Sequence, residues 1–389
     1  MSASRGSAPA GARALQEALR DKRVLVVCGS GGVGKTTSAA ALGLRAALAG
    51  RRVLVCTIDP SRRLATSLGI SQLSEKPRAL DLARLTPRPG GEMWAMTLDT
   101  KRTFDALVER YAASEEARRR ILTNRFYQQV SAALSGSHEY MAMEKLLELR
   151  GDDRYDLVVL DTPPTRHALD FLEAPDRMLA FLDTSVLRYF LRPYFAAGRL
   201  TIKVATKTGA MLLDLADRAL GLQFLRELSE FFLAFEGMYD GFKQRAAAVH
   251  ALLRDPSSGF LLVAGPAATS LEEAAYFHER LDEKGMPFVA LVVNRVHPDP
   301  RRDRPGNGPE PEIEPALAEA LIEIQRDHRS LAQHERKAVA RVEVDAGTSA
   351  ILVPELEADV HDLRGLHEVA GLLLPAADEE PRAARGRSR

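Results

Sequence analysis

The stretch Arg23-Val-Leu-Val-Val-Cys28-Gly29-Ser30-Gly31-Gly32-Val33-Gly34-Lys35-Thr36-Thr37 decides how the rest of the chain is read. After Arg23 it begins as a short, unbroken apolar run, the pattern of a parallel strand covered on both faces. The glycine-rich turn that follows satisfies G-x4-G-K-[ST]. Its glycines let successive backbone N–H groups face one concavity, which binds a β-phosphate at the start of a helix. Lys35 would neutralise the β- and γ-phosphates, and the Thr36 hydroxyl would ligate Mg2+. An accidental match in a glycine-rich turn is the competing explanation, arising on the order of once in a hundred chains of this size. Here, however, the motif lies between a strand and an alanine-rich helix expected from Lys35 to Ala49, closed by Gly50, as its chemistry requires.

Outward from the loop, the strand pattern returns at Arg52–Ile58, Tyr155–Leu160, Gly259–Ala264 and Pro287–Val293, with helical stretches between most of them. The expected fold is α/β: a doubly wound, mostly parallel sheet carrying the phosphate loop. Ligands on such sheets sit at the carboxyl ends of the strands. Residues 100–150 and 168–255 break the rhythm, reading as helix only, with apolar residues three and four apart. They are expected to form an α-helical subdomain inserted in two pieces. The domain itself would run over 21–375, after a tail and short helix at 1–20 and before a disordered tail at 376–389. Arg301–Pro315, rich in proline, glycine and charge, reads as a mobile loop.

Composition bounds the function. The 389 residues are 46% apolar and 27% charged, enough for a sizeable core and too apolar for a disordered chain. Lys plus Arg equals Asp plus Glu, 53 against 53, which disfavours a nucleic-acid partner held by the overall field. Two cysteines exclude a disulfide framework and a four-thiolate zinc site within one chain. No run reaches the roughly 18 apolar residues of a membrane helix, and MSASRGSAPAGAR lacks an apolar signal core, so a loose tail on a cytoplasmic protein is expected.

Two carboxylates narrow the class. Asp59 ends the second strand in Asp59-Pro-Ser-Arg-Arg-Leu64, and Asp161 follows the strand Tyr155–Leu160 in Asp161-Thr-Pro-Pro-Thr-Arg-His167. A carboxylate just past a strand, near a phosphate loop, can hold the hydration shell of Mg2+, and a second can orient the attacking water. Either could instead cap the following helix.

These segments together resemble the arsenite-pump (ArsA-type) and tail-anchored-protein-targeting ATPases, within the class of dimeric nucleotide switches. Gly136-Ser-His-Glu-Tyr140, Val292-Val-Asn294-Arg295 and Val353-Pro-Glu-Leu356 with Val360–Gly365 are similar to later blocks of that family, so the resemblance covers Lys22 to Leu374. It implies ATP and ADP as ligands, Asp59 as the carboxylate that positions the hydrolytic water, and Asp161 as the one reaching Mg2+ through water. It also implies that Asn294 both accepts from and donates to the adenine edge, with the segment after Pro354 closing over the base. Independently, Asn294-Arg-Val-His297 lacks the aspartate of a guanine-recognising N-K-x-D.

The sequence departs from the family pattern at Ser30. The resemblance implies a lysine there, reaching across the dimer to the partner's phosphates, and a cation of that kind is worth about three to five orders of magnitude in rate. Three alternatives follow: a heterodimer with a lysine-bearing paralogue, another cation such as Arg62 or Arg63, or very slow hydrolysis. The family's zinc-binding C-x-x-C is also missing, so no zinc is expected. Cys28 and Cys56 read as small buried apolar groups, which weakens an arsenite-efflux function. His167 would touch the γ-phosphate or merely begin a helix.

Residues 181–242 hold 11 of the 23 aromatics. Phe231, Phe232, Phe235, Tyr239 and Phe242 fall mostly three and four apart, on one helical face. Core packing explains them most simply. The family implies instead a hydrophobic groove for a protein or membrane-protein client, with Leu187–Phe195 as a candidate rim.

Overall fold

The structure, a computed structural model, describes residues 10–59, 61–86, 90–130, 137–163, 168–182, 231, 238–299 and 314–374. In chain order the elements begin with α1 (Ala10–Asp21), β1 (Val24–Cys28), α2 (Lys35–Leu48), β2 (Arg52–Thr57), α3 (Arg63–Ser67), β3 (Arg78–Ala79) and β4 (Glu92–Thr97). Then come α4 (Thr100–Tyr111), α5 (Glu115–Thr123), α6 (Arg125–Val130), α7 (Ser137–Arg150), β5 (Leu157–Asp161) and α8 (Ala168–Leu182). After these the described elements are α9 (Tyr239–Arg254), β6 (Ser258–Ala264), α10 (Ala268–Glu283), β7 (Phe288–Val296), α11 (Pro315–Ala346), β8 (Ile351–Pro354) and α12 (Leu363–Leu373). No described helix is long and apolar enough to cross a membrane.

The eight strands form one sheet in the order β3-β4-β2-β5-β1-β6-β7-β8, parallel throughout except where the two-residue β3 lies antiparallel to β4. This is the α/β, doubly wound, mostly parallel sheet that the apolar runs call for. Every residue of β1, β5 and β6 is buried, as strands covered on both faces must be. Strand order reverses around β1, which pairs with β5 on one side and β6 on the other, so the loop after β1 opens at the switch point of the sheet. α2 ends where the alanine-rich pattern does. Gly50 turns the chain at φ 103°, its N–H donating to the Ala47 carbonyl at 3.0 Å.

The described residues fall into two compact units. One draws on Met1–Leu98, Glu148–Leu169 and Leu252–Arg389, and contains the sheet. The other draws on Asp99–Leu147 and Asp170–Ala251 and contains only helices among its described residues. In this helical unit the rings of Phe104, Tyr127, Phe231, Tyr140 and Phe242 pack on one another at centroid separations of 5.5–6.3 Å. Phe231 and Phe242 are buried, so these two members of the aromatic face are core. Phe232, Phe235 and Leu187–Phe195 lie outside the described residues. Glu144, itself buried, pairs with Arg245 within the same unit.

Several elements depart from the sequence expectation. Ala10–Arg13, read as tail, is the first turn of α1, whose Ala12, Leu15, Ala18 and Leu19 join the core of the sheet unit. The guanidinium of Arg51 donates to the backbone carbonyls of Leu19, Lys22 and Asp156 at 2.5–2.7 Å, tying the end of α1 to the sheet. Strand β4 escaped notice because Glu-Met-Trp-Ala-Met-Thr has neither an unbroken branched run nor clean alternation. Strand β8 is an edge strand with Leu352 exposed, and that exposed position interrupts its burial. Pro315, read as the end of a loop, is the first residue of the 32-residue α11. At the other end of the unit, α12 packs along α2 in the same core cluster.

Leu15 is fully buried. Leu15→Ala is therefore expected to lower the unfolding free energy by about 2–4 kcal/mol in chemical denaturation; a residue of a loose tail would change it by less than about 0.5 kcal/mol.

Candidate nucleotide site

The loop leaves β1 through two tight contacts that only glycine satisfies. At Gly29, φ is 151° and a Cβ would lie 2.0 Å from the Val263 carbonyl oxygen of β6. At Gly34, φ is 96° and a Cβ would lie 2.2 Å from Nδ2 of Asn294 on β7. Between them Gly31 and Gly32 are exposed and Val33 is buried. Lys35, first residue of α2, is 6% exposed and donates from Nζ to the Ser30 carbonyl at 2.7 Å. Desolvation lowers its pKa, an effect that the charges of Asp161 and Asp59 oppose.

Asp161 is the last residue of β5, paired in register with Val27 of β1 and Thr57 of β2, rather than the first residue beyond the strand. Its side chain is fully buried. The hydroxyls of Thr36 and Thr57 both donate to Oδ2 at 2.8 Å, whereas Oδ1 is buried with no hydrogen-bond partner among the described residues. Burial pushes the carboxyl up to about 6, against the pull of the two hydroxyls and Lys35. A buried carboxylate oxygen left unpaired is costly, and one beside a threonine hydroxyl is the donor chemistry of a hard divalent ion or its water shell. Thr36 and Asp161 thus fit Mg2+.

Asp59 stands two residues beyond β2. Its N–H donates to Thr57 Oγ1 at 3.2 Å, and its Oδ1 accepts from the Ser61 N–H at 2.8 Å. The second bond is a local turn and does not cap α3, whose N-cap is Arg62. The charge of Asp59 adds to the upward push on Asp161, so the two carboxylates and Lys35 share one field. Arg62 and Arg63 are exposed at the start of α3, and the charge of Arg63 helps lower the pKa of Lys35.

Asn294 turns its amide on the loop. Nδ2 donates to the Val33 carbonyl at 2.8 Å, so the group grips the loop itself, and Oδ1 has no hydrogen-bond donor among the described residues. A register shift between β7 and β8 falls at Arg295, a non-glycine residue with φ 62°, and this bulge separates Asn294 from Val296, the partner of Pro354. The Glu355 N–H donates to the Val296 carbonyl at 3.1 Å, starting the segment after Pro354 beside the same bulge.

Ser30 accepts Lys35 on its carbonyl, and its hydroxyl lies 3.1 Å from that of Ser270 on α10. Thr37, half-buried, follows Thr36 in the first turn of α2. Of the segment after Asp161, Pro164–His167 lie outside the described residues, His167 among them. Sequence reasoning missed Thr57, Ser270 and the bulge at Arg295. A lone threonine at the polar end of an apolar strand would have pointed to Thr57; nothing in Gly265-Pro-Ala-Ala-Thr-Ser270 marks the serine. Cys28 and Cys56 are both buried, and burial pushes the Cys28 thiol up to about 12.

Residues 22–308 match the family model described as anion-transporting ATPase. The chain belongs to that family. It is 25% identical over 297 residues to a putative arsenical pump-driving ATPase of Aquifex aeolicus, a match covering 71% of this chain and 64% of the other. It is 27% identical over 274 residues to the ATPase GET3 of Malassezia globosa, covering 70% and 72% respectively. To a putative arsenical pump-driving ATPase of Halobacterium salinarum it is 30% identical over 171 residues, covering 43% of this chain and 26% of that one. The match thus spans less than two thirds of the Aquifex protein and about a quarter of the halobacterial one.

The carboxyl of Asp161 titrates at about 6 in the fold against an ordinary value of 3.8. Between these pH values the folded chain binds the proton more readily than the unfolded one, so this group's support is complete below the lower value and lost as pH rises through the upper. Asp161→Asn should remove that loss, raising the stability of the ligand-free protein at neutral pH by up to about 3 kcal/mol. Melting temperatures at pH 5 and 7.5 check this: the substitution should stabilise more at the higher pH, and equal shifts at both would contradict it.

Proposed function

We propose that this chain binds Mg2+-ATP on the loop Gly29–Thr37 and hydrolyses it to ADP. The observation that carries the proposal is the half-satisfied buried carboxylate of Asp161, with Thr36 and Thr57 on one oxygen and no partner among the described residues on the other. In this reading the loop amides and Lys35 hold the phosphates, while Thr36 and Asp161 hold the metal, which supplies charge neutralisation of the β- and γ-oxygens when bound. Asp59 orients the attacking water. Asn294 keeps Val33 in place with its N–H and presents Oδ1 to the base, an acceptor that matches the 6-amino group of adenine and opposes the 6-oxo group of guanine. The segment after Pro354 lies next to it.

The family supports a dimeric switch in which nucleotide closes two subunits and the helical unit handles a hydrophobic protein or membrane-protein client. The names of the Aquifex and Halobacterium relatives refer to an arsenical pump. Here both thiols are buried, so arsenite would lack accessible thiolates, and a protein client is favoured over an anion.

A second reading rests on Ser30. With its hydroxyl 3.1 Å from Ser270 of the same chain, this position offers no charge to a partner. A heterodimer in which a lysine-bearing paralogue completes the site, leaving this subunit catalytically weak alone, accounts for that. The alternatives separate by phosphate release from the purified chain: brisk ATP-dependent turnover as a homodimer would reject the heterodimer.

Titration calorimetry with Mg2+-ATP should detect binding, and Lys35→Ala should weaken it by at least about tenfold, the loss of a charge-assisted contact. Asp59→Asn should keep binding and slow hydrolysis by about 100-fold or more. Absence of binding heat for the unmodified chain would refute the site.

A further inference from the structure

The phosphate loop is held from outside as well as by its own glycines, and one of those outer contacts comes from the β6 side. Ser270 sits in the first turn of α10, half-buried, with its N–H donating to the Ala267 carbonyl at 3.0 Å. Its Oγ accepts from the Gly265 N–H at 2.9 Å, where the chain leaves β6, and lies 3.1 Å from Ser30 Oγ. Ser30 in turn carries the carbonyl on which Lys35 Nζ rests at 2.7 Å. One hydroxyl thus joins the end of β6, the start of α10 and the first arm of the loop. On the opposite arm Asn294 grips the Val33 carbonyl at 2.8 Å.

We infer that Ser270 is a positioning residue of the phosphate loop, acting through Ser30. It touches neither Lys35 nor the metal-binding pair. A serine hydroxyl can accept from Gly265 and still share a hydrogen bond with Ser30, because it has one hydrogen and two lone pairs. The bond fixes the Ser30 peptide unit, and with it the carbonyl that receives the lysine. Position 30 thereby serves a role within its own chain: its short hydroxyl anchors the loop to α10 at the position where the family resemblance implies a lysine. The consequence for nucleotide handling rests on the function proposed above; the consequence for the loop does not.

Amide hydrogen exchange in the ligand-free, full-length protein tests the loop directly. Ser270→Ala should speed exchange of the Gly31–Thr37 amides by about three- to tenfold, the loss of one hydrogen bond. The same substitution should add nothing in a Ser30→Ala background, and Ser270→Thr should restore slow exchange. Calorimetry should show the same non-additive pattern, with the Kd for Mg2+-ATP weakened about three- to tenfold by Ser270→Ala alone. Equal effects of Ser270→Ala in both backgrounds would show that it works through Gly265 and overturn the inference, as would unchanged loop exchange. If the unmodified protein fails to bind nucleotide, the proposed function falls while the exchange data still decide the role of Ser270.

Discussion

A negative charge buried at the centre of the sheet is the constraint on which the site depends. Asp161 has strands on both sides, two threonine hydroxyls on one oxygen and, among the described residues, no partner on the other. Leaving such a group ionised is expensive, and its upward-shifted carboxyl records that cost. Proteins keep arrangements of this kind where binding supplies the missing partner. The ammonium of Lys35 relieves part of the cost through space, and a divalent ion beside Thr36 would relieve much more. The surrounding structure follows from holding this group still. Thr57 must close β2 with a hydroxyl, Thr36 must sit at the second position of α2, and both strands beside β5 must be parallel to it.

The loop itself is shaped by what crowds it. At Gly29 the β6 backbone, and at Gly34 the Asn294 amide, lie so close that any side chain would collide. The positive φ angles are the visible result of threading a turn between two neighbours. Asn294, which the family resemblance assigns to the adenine edge, also forms a wall of the phosphate loop. This one side chain on β7 fixes the second arm of the loop to the sheet.

Much of this was legible in the residues. The apolar runs that became β1, β2, β5, β6 and β7 were readable because parallel strands covered on both faces need unbroken apolar character. The phosphate loop was readable because its chemistry tolerates so few residues at so few spacings. Strands β4 and β8 were not: β4 opens on the exposed Glu92, and the four-residue run Ile351–Pro354 is too short to tell from a loop. The first turn of α1 was hidden by small residues that read as tail, yet Gly11 approaches the Ser349 backbone so closely that a small residue is required. Contacts such as Ser30 with Ser270 join positions 240 apart, and no local pattern announces them.

The pairing of α2 with α12 has a bearing on how the protein is made. The helix that starts with Lys35 leaves the ribosome well before the helix that covers it, Leu363–Leu373. At ordinary rates of translation of roughly 5–20 residues per second, the 325 residues between Leu48 and Leu373 take roughly 15–65 s to follow. Throughout that interval one flank of an alanine- and leucine-rich helix must remain uncovered by its native partner. Until Leu363–Leu373 is made, the side chains on that flank of the Lys35 helix lack the core contacts they have in the folded chain.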